Sequence, residues 1–255
     1  MDCVYKIGND YLYVYCEICE YVNDINNWML PYSIVNIDYD KYIKIYNDRT
    51  IYKFNDKEIV IGGKIVHTDL YPLFYNGISN IINSDLDMFC HSCVLCYNDV
   101  GILIYGDFSS GKTSLCLKSL DNGFRLLSTD QSHLRISNGV LKFINGSRYM
   151  RVRGDKDIVI DSFNDDIEIK FIINLMGVSD NGKVRFDVIK NKSHVIKTLF
   201  KYFTWHSDIP LFTDNSLLDI DRIMIKKWLG NIGCSLYNVR GDIKKIIKKI
   251  KGELI

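Results

Sequence analysis

An α/β fold on mixed strands, preceded by a strand-rich N-terminal region, is predicted by three features of the sequence. A run of β-formers from Gly101 to Tyr105 leads into a glycine-rich turn, and a helix-forming segment follows from Lys112 to about Leu120. Further short β-rich runs recur on both sides of that unit, whereas helical periodicity is concentrated beyond residue 190. The chain of 255 residues is long enough to bury a full core, as one large domain or as a core with a smaller appendage.

Residues 1–85 form the strand-rich region. Tyr11 to Tyr15 and Tyr42 to Tyr46 cluster or alternate β-formers, and Asn47-Asp48, Asn55-Asp56 and Gly62-Gly63 punctuate them as turns. Residues 86–255 form the core. Cys90 to Tyr97 is predicted as one strand, Asn98-Asp99 as a tight turn, and Gly101 to Tyr105 as the returning strand. The helix from Lys112 closes at Asn122-Gly123, and Phe124 to Thr129 is the next strand. Leu134 to Ile136, Val140 to Ile144, Ile158 to Ile160 and Ile167 to Leu175 follow as strands, then helices over 193–204, 221–229 and 240–252. In the last of these, isoleucines at i, i+3, i+4 and i+7 make an apolar stripe opposite a lysine face, which suits packing onto the core.

Composition narrows the function. With 32 basic and 31 acidic residues the net charge is +1, so no overall field draws nucleic acid or an anionic membrane. No apolar run reaches the roughly 18 residues of a membrane span, and no basic stretch leads into a secretory-type apolar segment. The eight cysteines are therefore expected as reduced thiols in a cytoplasmic protein. Cys16-Glu17-Ile18-Cys19 and Cys90 to Cys93 have the spacing of a zinc chelate, but residues three apart on a strand point to opposite faces. Cys90, Ser92, Val94 and Cys96 instead share one face and suit a core of small side chains. Trp205-His206-Ser207-Asp208 contains catalytic residue types without a motif around them, and is expected as a loop anchored by Trp205.

The chemistry concentrates in Gly106-Asp107-Phe108-Ser109-Ser110-Gly111-Lys112-Thr113, which fits G-x-x-x-x-G-K-[ST] at every fixed position. Glycines at both ends let successive backbone N–H groups turn into one concavity. The helix that follows adds its unpaired N–H groups, through Ser114, and the positive end of its dipole. Lys112 supplies an ammonium for β- and γ-phosphates, and the Thr113 hydroxyl a ligand for the Mg²⁺ that bridges them. A strand before and a helix after are what the mechanism demands, so ATP or GTP with Mg²⁺ is the expected ligand.

His91 lies on the strand before the hairpin, and Asn122-Gly123-Phe124-Arg125-Leu126-Leu127-Ser128-Thr129-Asp130 follows the helix. With the loop between them, these surroundings resemble the HPr kinase family, P-loop kinases related in fold to phosphoenolpyruvate carboxykinase. Arg151-Val152-Arg153-Gly154 partly matches that family's Glu-Val-Arg-Gly signature. The likeness covers residues 86–160 and, more loosely, the helical C-terminus. It implies a mixed-sheet P-loop kinase core. It assigns Lys112 and Thr113 to phosphates and metal, Asp130 to the acidic site and the metal, and His91 to a hydrogen bond that orients Asp130. It also implies transfer of a γ-phosphoryl group to a serine hydroxyl, and an oligomeric state in keeping with the family. Two departures bear on this: Thr129 stands where the family has the first Asp of an acidic pair, and Arg151 stands where it has Glu. No Pro-Gly-Arg-Asn-type loop is present either. The chain is thus closer to short relatives of the regulator than to the bifunctional enzyme. Some relatives are associated with modifying small peptides, so the expected partner is a peptide or small protein. A nucleotide-binding module with impaired catalysis is the alternative, and Asp107, Asp155 and Asp157 are the carboxylates that would substitute for the missing one.

Overall fold

The computed structural model describes residues 1–7, 10–29, 32–39, 41–47, 52–54, 57–63, 78, 87–150, 158–160, 166–179, 182–190 and 233–254. The helices expected at 193–204 and 221–229, the Trp205–Asp208 segment, Arg151–Gly154, Asp155 and Asp157 lie outside those residues.

In the N-terminal region, period-two alternation builds a six-stranded sheet. Its strands are β1 (Asp2–Ile7), β2 (Asp10–Cys16), β3 (Ser33–Val35), β4 (Lys41–Tyr46), β5 (Tyr52–Phe54) and β6 (Glu58–Gly62), in the order β3-β1-β2-β4-β6-β5. Leu12, Val14, Ile43, Ile45, Ile59 and Ile61 point to one face and are buried. Strands β2 and β4 are parallel, so a crossover must join them, and helix α1 (Cys19–Met29) is part of it. Its Tyr21, Ile25, Trp28 and Met29 cover the buried face. The sequence reading had only strands here. The spacing of those four residues was the available signal, diluted by the polar asparagines between them.

The core carries β7 (Asp87–His91), β8 (Cys93–Tyr97), β9 (Val100–Tyr105), α2 (Lys112–Leu120), β10 (Arg125–Ser128), β11 (Gln131–Ser137) and β12 (Val140–Gly146). The short pair β13 (Tyr149–Met150) and β14 (Ile158–Val159) follows, then β15 (Ile167–Ser179), β16 (Arg185–Val188), β17 (Ser235–Asp242) and α3 (Ile243–Lys249). A wider π-type turn, Ile250–Leu254, extends α3. The main path runs β10-β8-β9-β15-β12-β11-β7, with β17 and β16 branching from β15. Strands β9 and β17 both run parallel to β15, whereas β12 meets it antiparallel at Ile167 and Glu168.

Helices α2 and α3 cover one face with Leu115, Cys116, Ile243, Ile246, Ile247 and Ile250, packed on Leu95, Ile102, Ile104, Ile173 and Val239. The other face buries Cys90, Val94, Cys96 and Leu103 against Leu134, Leu141 and Phe143. The isoleucine stripe of the tail therefore packs on its own core. The cysteines of 90–96 are core residues, and all eight are free thiols. Burial raises the Cys90 thiol to about 12.

Beyond shifts of a few residues at strand ends, two boundaries differ from expectation. The strand over 90–97 is broken at Ser92, whose N–H donates to Asp130 O at 2.8 Å. The break lets β7 pair with β11 while β8 pairs with β9 and β10, so the chain changes partners there. The last helix starts at Ile243, not at 240, because residues 235–242 finish strand β17. Asp242 then caps the helix by accepting from Lys245 N.

Candidate functional site

Strand β9 is hydrogen-bonded on both sides and delivers Gly106 at its C-terminal end. The turn that follows has no room for side chains at its fixed positions. A Cβ on Gly106 would lie 2.3 Å from Leu175 O and 2.9 Å from Ser110 Oγ. Gly111 sits at φ +96°, and its Cβ would lie 2.2 Å from Val178 Cγ2. Ser109 is also left-handed, at φ 63°, and Ser110 N–H donates to Asp107 O at 3.0 Å.

Gly111 is the N-cap of α2, and no side chain among the described residues caps it. The helix thus presents its first N–H groups and the positive end of its dipole without a capping side chain from those residues. Lys112 Nζ lies back over the loop, donating to Gly106 O at 2.6 Å and Asp107 O at 3.3 Å. An ammonium has three hydrogens, so this position leaves one for an anion. Ser110 Oγ is buried with no hydrogen-bond partner among the described residues. A glycine-cornered concavity with an orphaned hydroxyl, a cation and a helix N-terminus fits a polyphosphate. Thr113 and Ser114 are exposed on the first turn of the helix, and Asp107, Phe108 and Ser109 on the loop.

Asp130 and His91 meet nearby. His91 Nδ1 lies 3.5 Å from Asp130 Oδ1, with the side chains 20% and 31% exposed. The same nitrogen lies 3.3 Å from Gln131 Nε2. One nitrogen cannot serve both at once: with a lone pair it accepts from Gln131, with a proton it donates to Asp130. Burial holds His91 below its ordinary pKa and the Lys112 charge adds to this, while Asp130 acts the other way.

Thr129, in contrast, faces away from solvent at 5% exposure. Its Oγ1 lies 2.7 Å from Tyr149 O, 3.0 Å from Ser147 O and 2.9 Å from Ser147 Oγ. Ser147 Oγ already accepts from the backbone N–H groups of Asp130 (3.0 Å) and Gln131 (2.9 Å). Both lone pairs being used, its hydrogen goes to Thr129 Oγ1, and the Thr129 hydrogen goes to a carbonyl. Thr129 and Ser147 therefore fix the turn that presents Asp130. Sequence reasoning did not single out Ser147 or Gln131, since neither belongs to a motif and their roles arise from the return of β12 beside β10.

Among the described residues, no three His, Cys, Asp or Glu side chains converge as a metal cage. Thr113 and Asp130 alone would leave most of a Mg²⁺ coordination sphere to phosphate oxygens and water, which is its habit beside nucleotides. No helix among the described residues is long and apolar enough to cross a membrane. A second feature, a cavity of ≈ 230 Å³ lined by Leu141, Glu168, Phe171 and Cys234, opens at the N-terminal ends of β15 and β17, away from the phosphate loop.

No family model matches the chain, and a comparison with curated proteins found no match. Among solved structures, the Hpr(Ser) kinase/phosphatase from Coxiella burnetii is similar to this chain at 16% sequence identity and a TM-score of 0.37. That similarity spans 65% of this chain and 93% of the other, and is a distant structural relation.

Proposed function

We propose that this protein moves the γ-phosphoryl group of ATP or GTP to a serine hydroxyl of a peptide or small protein. The observation that carries the reading is the loop from Gly106 to Thr113: sterically closed glycines, an orphaned Ser110 hydroxyl, and Lys112 poised over the concavity. These features cost stability unless a polyphosphate uses them.

In this reading backbone N–H groups of 107–113 other than that of Ser110, which bonds Asp107 O, hold the β- and γ-phosphates with the Lys112 ammonium, and Ser110 Oγ donates to one of their oxygens. Thr113 and Asp130 are the residues that would hold Mg²⁺ beside the phosphates, where it would supply charge neutralisation. Asp130 orients the serine hydroxyl and accepts its proton. When its Nδ1 carries the proton, His91 donates to the Asp130 carboxylate and orients it.

A second reading is favoured by one specific observation. Thr129 is built into the Ser147–Tyr149 network, so no second carboxylate stands at that position. On this reading the protein binds nucleotide and recruits a peptide without transferring phosphate. Transfer from γ-labelled ATP and GTP to serine peptides separates the two. Label on a serine, lost in Lys112→Ala and in Asp130→Asn while the latter still binds nucleotide, is expected. Nucleotide binding with no transfer to any acceptor sinks the kinase reading and leaves the module.

A further inference from the structure

We propose that Gln131 is a positioning residue that keeps the proton of neutral His91 on Nε2, so that His91 does not tie up the Asp130 carboxylate. Its bearing on catalysis rests on the transfer reading above, whereas the proton position does not.

His91 and Gln131 stand directly opposite each other in the β7–β11 ladder, so their side chains leave the same face of the sheet side by side. Gln131 Nε2 lies 3.3 Å from His91 Nδ1, and Asp130 Oδ1 lies 3.5 Å from the same nitrogen. A neutral imidazole has one N–H and one lone pair, so the choice made at Nδ1 fixes the whole ring. Gln131 Nε2 only donates, and meeting it requires a bare Nδ1 with the proton on Nε2. The Asp130 carboxylate only accepts, and meeting it requires the proton on Nδ1.

Burial and rigidity decide between the two. Gln131 is buried, and its backbone is pinned at both polar groups. Its N–H donates to Ser147 Oγ at 2.9 Å, and its carbonyl accepts from Ser147 N at 2.8 Å and from Ser128 Oγ at 2.6 Å. The amide cannot turn out to water, so losing its acceptor would leave a buried donor unsatisfied. The Asp130 side chain is 31% exposed, so water satisfies it when His91 bonds elsewhere. A bond to a carboxylate is the stronger kind, but at 3.5 Å this one is stretched further than the amide contact.

A second proton on His91 would put an N–H at both nitrogens. Burial and the Lys112 charge oppose it, and Asp130 favours it. Along the same face of β7 and β11 the other charged or titratable groups are Asp87, His133 and Arg135, which bond one another. A carboxylate that accepts a hydrogen bond is a weaker base. Gln131 therefore preserves the proton affinity of Asp130, the property that an acceptor hydroxyl would use.

The test labels the full chain with ¹⁵N-histidine and reads the ring nitrogens by NMR, without nucleotide or peptide. The spectra are taken at about pH 8, above the ordinary histidine pKa of about 6.5, and His91→Asn identifies the His91 signals. Wild type is expected to show a bare Nδ1, far downfield, and a protonated Nε2. Gln131→Met has no donor and Gln131→Glu offers acceptors, so each is expected to move the proton to Nδ1, whereas Asp130→Asn leaves it on Nε2. A protonated Nδ1 in wild type overturns the proposal, whether or not the variants fold. So does a bare Nδ1 in a Gln131→Met protein whose other histidine signals are unchanged. On the transfer reading, Gln131→Met also lowers kcat about fivefold with the nucleotide KM unchanged, because Asp130 becomes a weaker base. Wild-type turnover in that variant overturns the positioning role. A bare wild-type Nδ1 in a protein that transfers no label supports the hold of Gln131 on His91 and sinks the kinase reading.

Discussion

Thr129→Asp restores the carboxylate that the resembled family carries at this position, and the structure predicts that it harms the protein instead of improving it. A carboxylate here would face Tyr149 O and Ser147 O at the places now occupied by a hydroxyl 2.7 and 3.0 Å away. Only the Ser147 hydroxyl could donate to it. The new group escapes by taking up a proton, which then bonds a carbonyl. Holding an Asp neutral at pH 7, some three units above its ordinary value, costs about 4 kcal/mol. At pH 4.5 the same cost falls to about 1 kcal/mol. For a chain of this length the pH 7 penalty lowers Tm by on the order of 10 °C. Thr129→Val, which only strands the hydrogen-bonding partners, is expected to cost about 2 kcal/mol at both pH values. Urea unfolding of wild type and both variants at the two pH values, beside labelled transfer at pH 7, reads the outcome. A Thr129→Asp variant as stable as wild type at pH 7 and faster in transfer would refute the argument, because its new carboxylate would then face the phosphate site.

Gly111→Ala meets both a left-handed backbone and Val178, and is expected to cost about 3 kcal/mol in urea unfolding. Gly123→Ala, also at positive φ but with nothing within 4 Å of the added Cβ, is expected to cost about 1 kcal/mol, so the difference measures the collision. Asp87 joins His133 Nε2 and Arg135 Nε, each at 2.8 Å. Burial pushes its pKa up, but hydrogen bonds and charge from His133 and Arg135 outweigh that and hold it below 3.8. The stability it contributes is thus present above pH 3.8 and is lost as pH falls through the depressed value. Asp87→Asn should remove about 2 kcal/mol at pH 7 and flatten the acid limb below pH 4, as read by unfolding across that range.

Local chemistry made part of this structure legible. Asn98 and Asp99 both adopt positive φ, as a two-residue hairpin turn between β-runs requires, and the glycine pattern at 106–111 announced the loop. The four isoleucines from Ile243 to Ile250 gave the last helix, since its spacing holds whatever it packs against. What stayed hidden depends on partners distant in sequence. Ser92 interrupts a continuous run of β-formers because Asp130, 38 residues away, takes its N–H. Thr129 read as a lost catalytic group, yet only the arrival of Ser147 and Tyr149 gives its hydroxyl an occupation. Strand β17 ends in Gly241-Asp242, a sequence that marks a boundary without saying which element precedes it.

The ladders around the site form a closed circuit. From β15 one route passes through β9 and β8 to β10, another through β12 to β11, and Thr129 and Asp130 join β10 to β11 covalently. The 106–113 loop hangs from one side of this ring and Asp130 from the link that closes it. A ring cannot open at one point without shearing a ladder elsewhere, so the spacing between the 106–113 loop and Asp130 is set when the chain folds. On the transfer reading proposed above, acceptor choice would change through exposed positions while the spacing between loop and carboxylate stays the same.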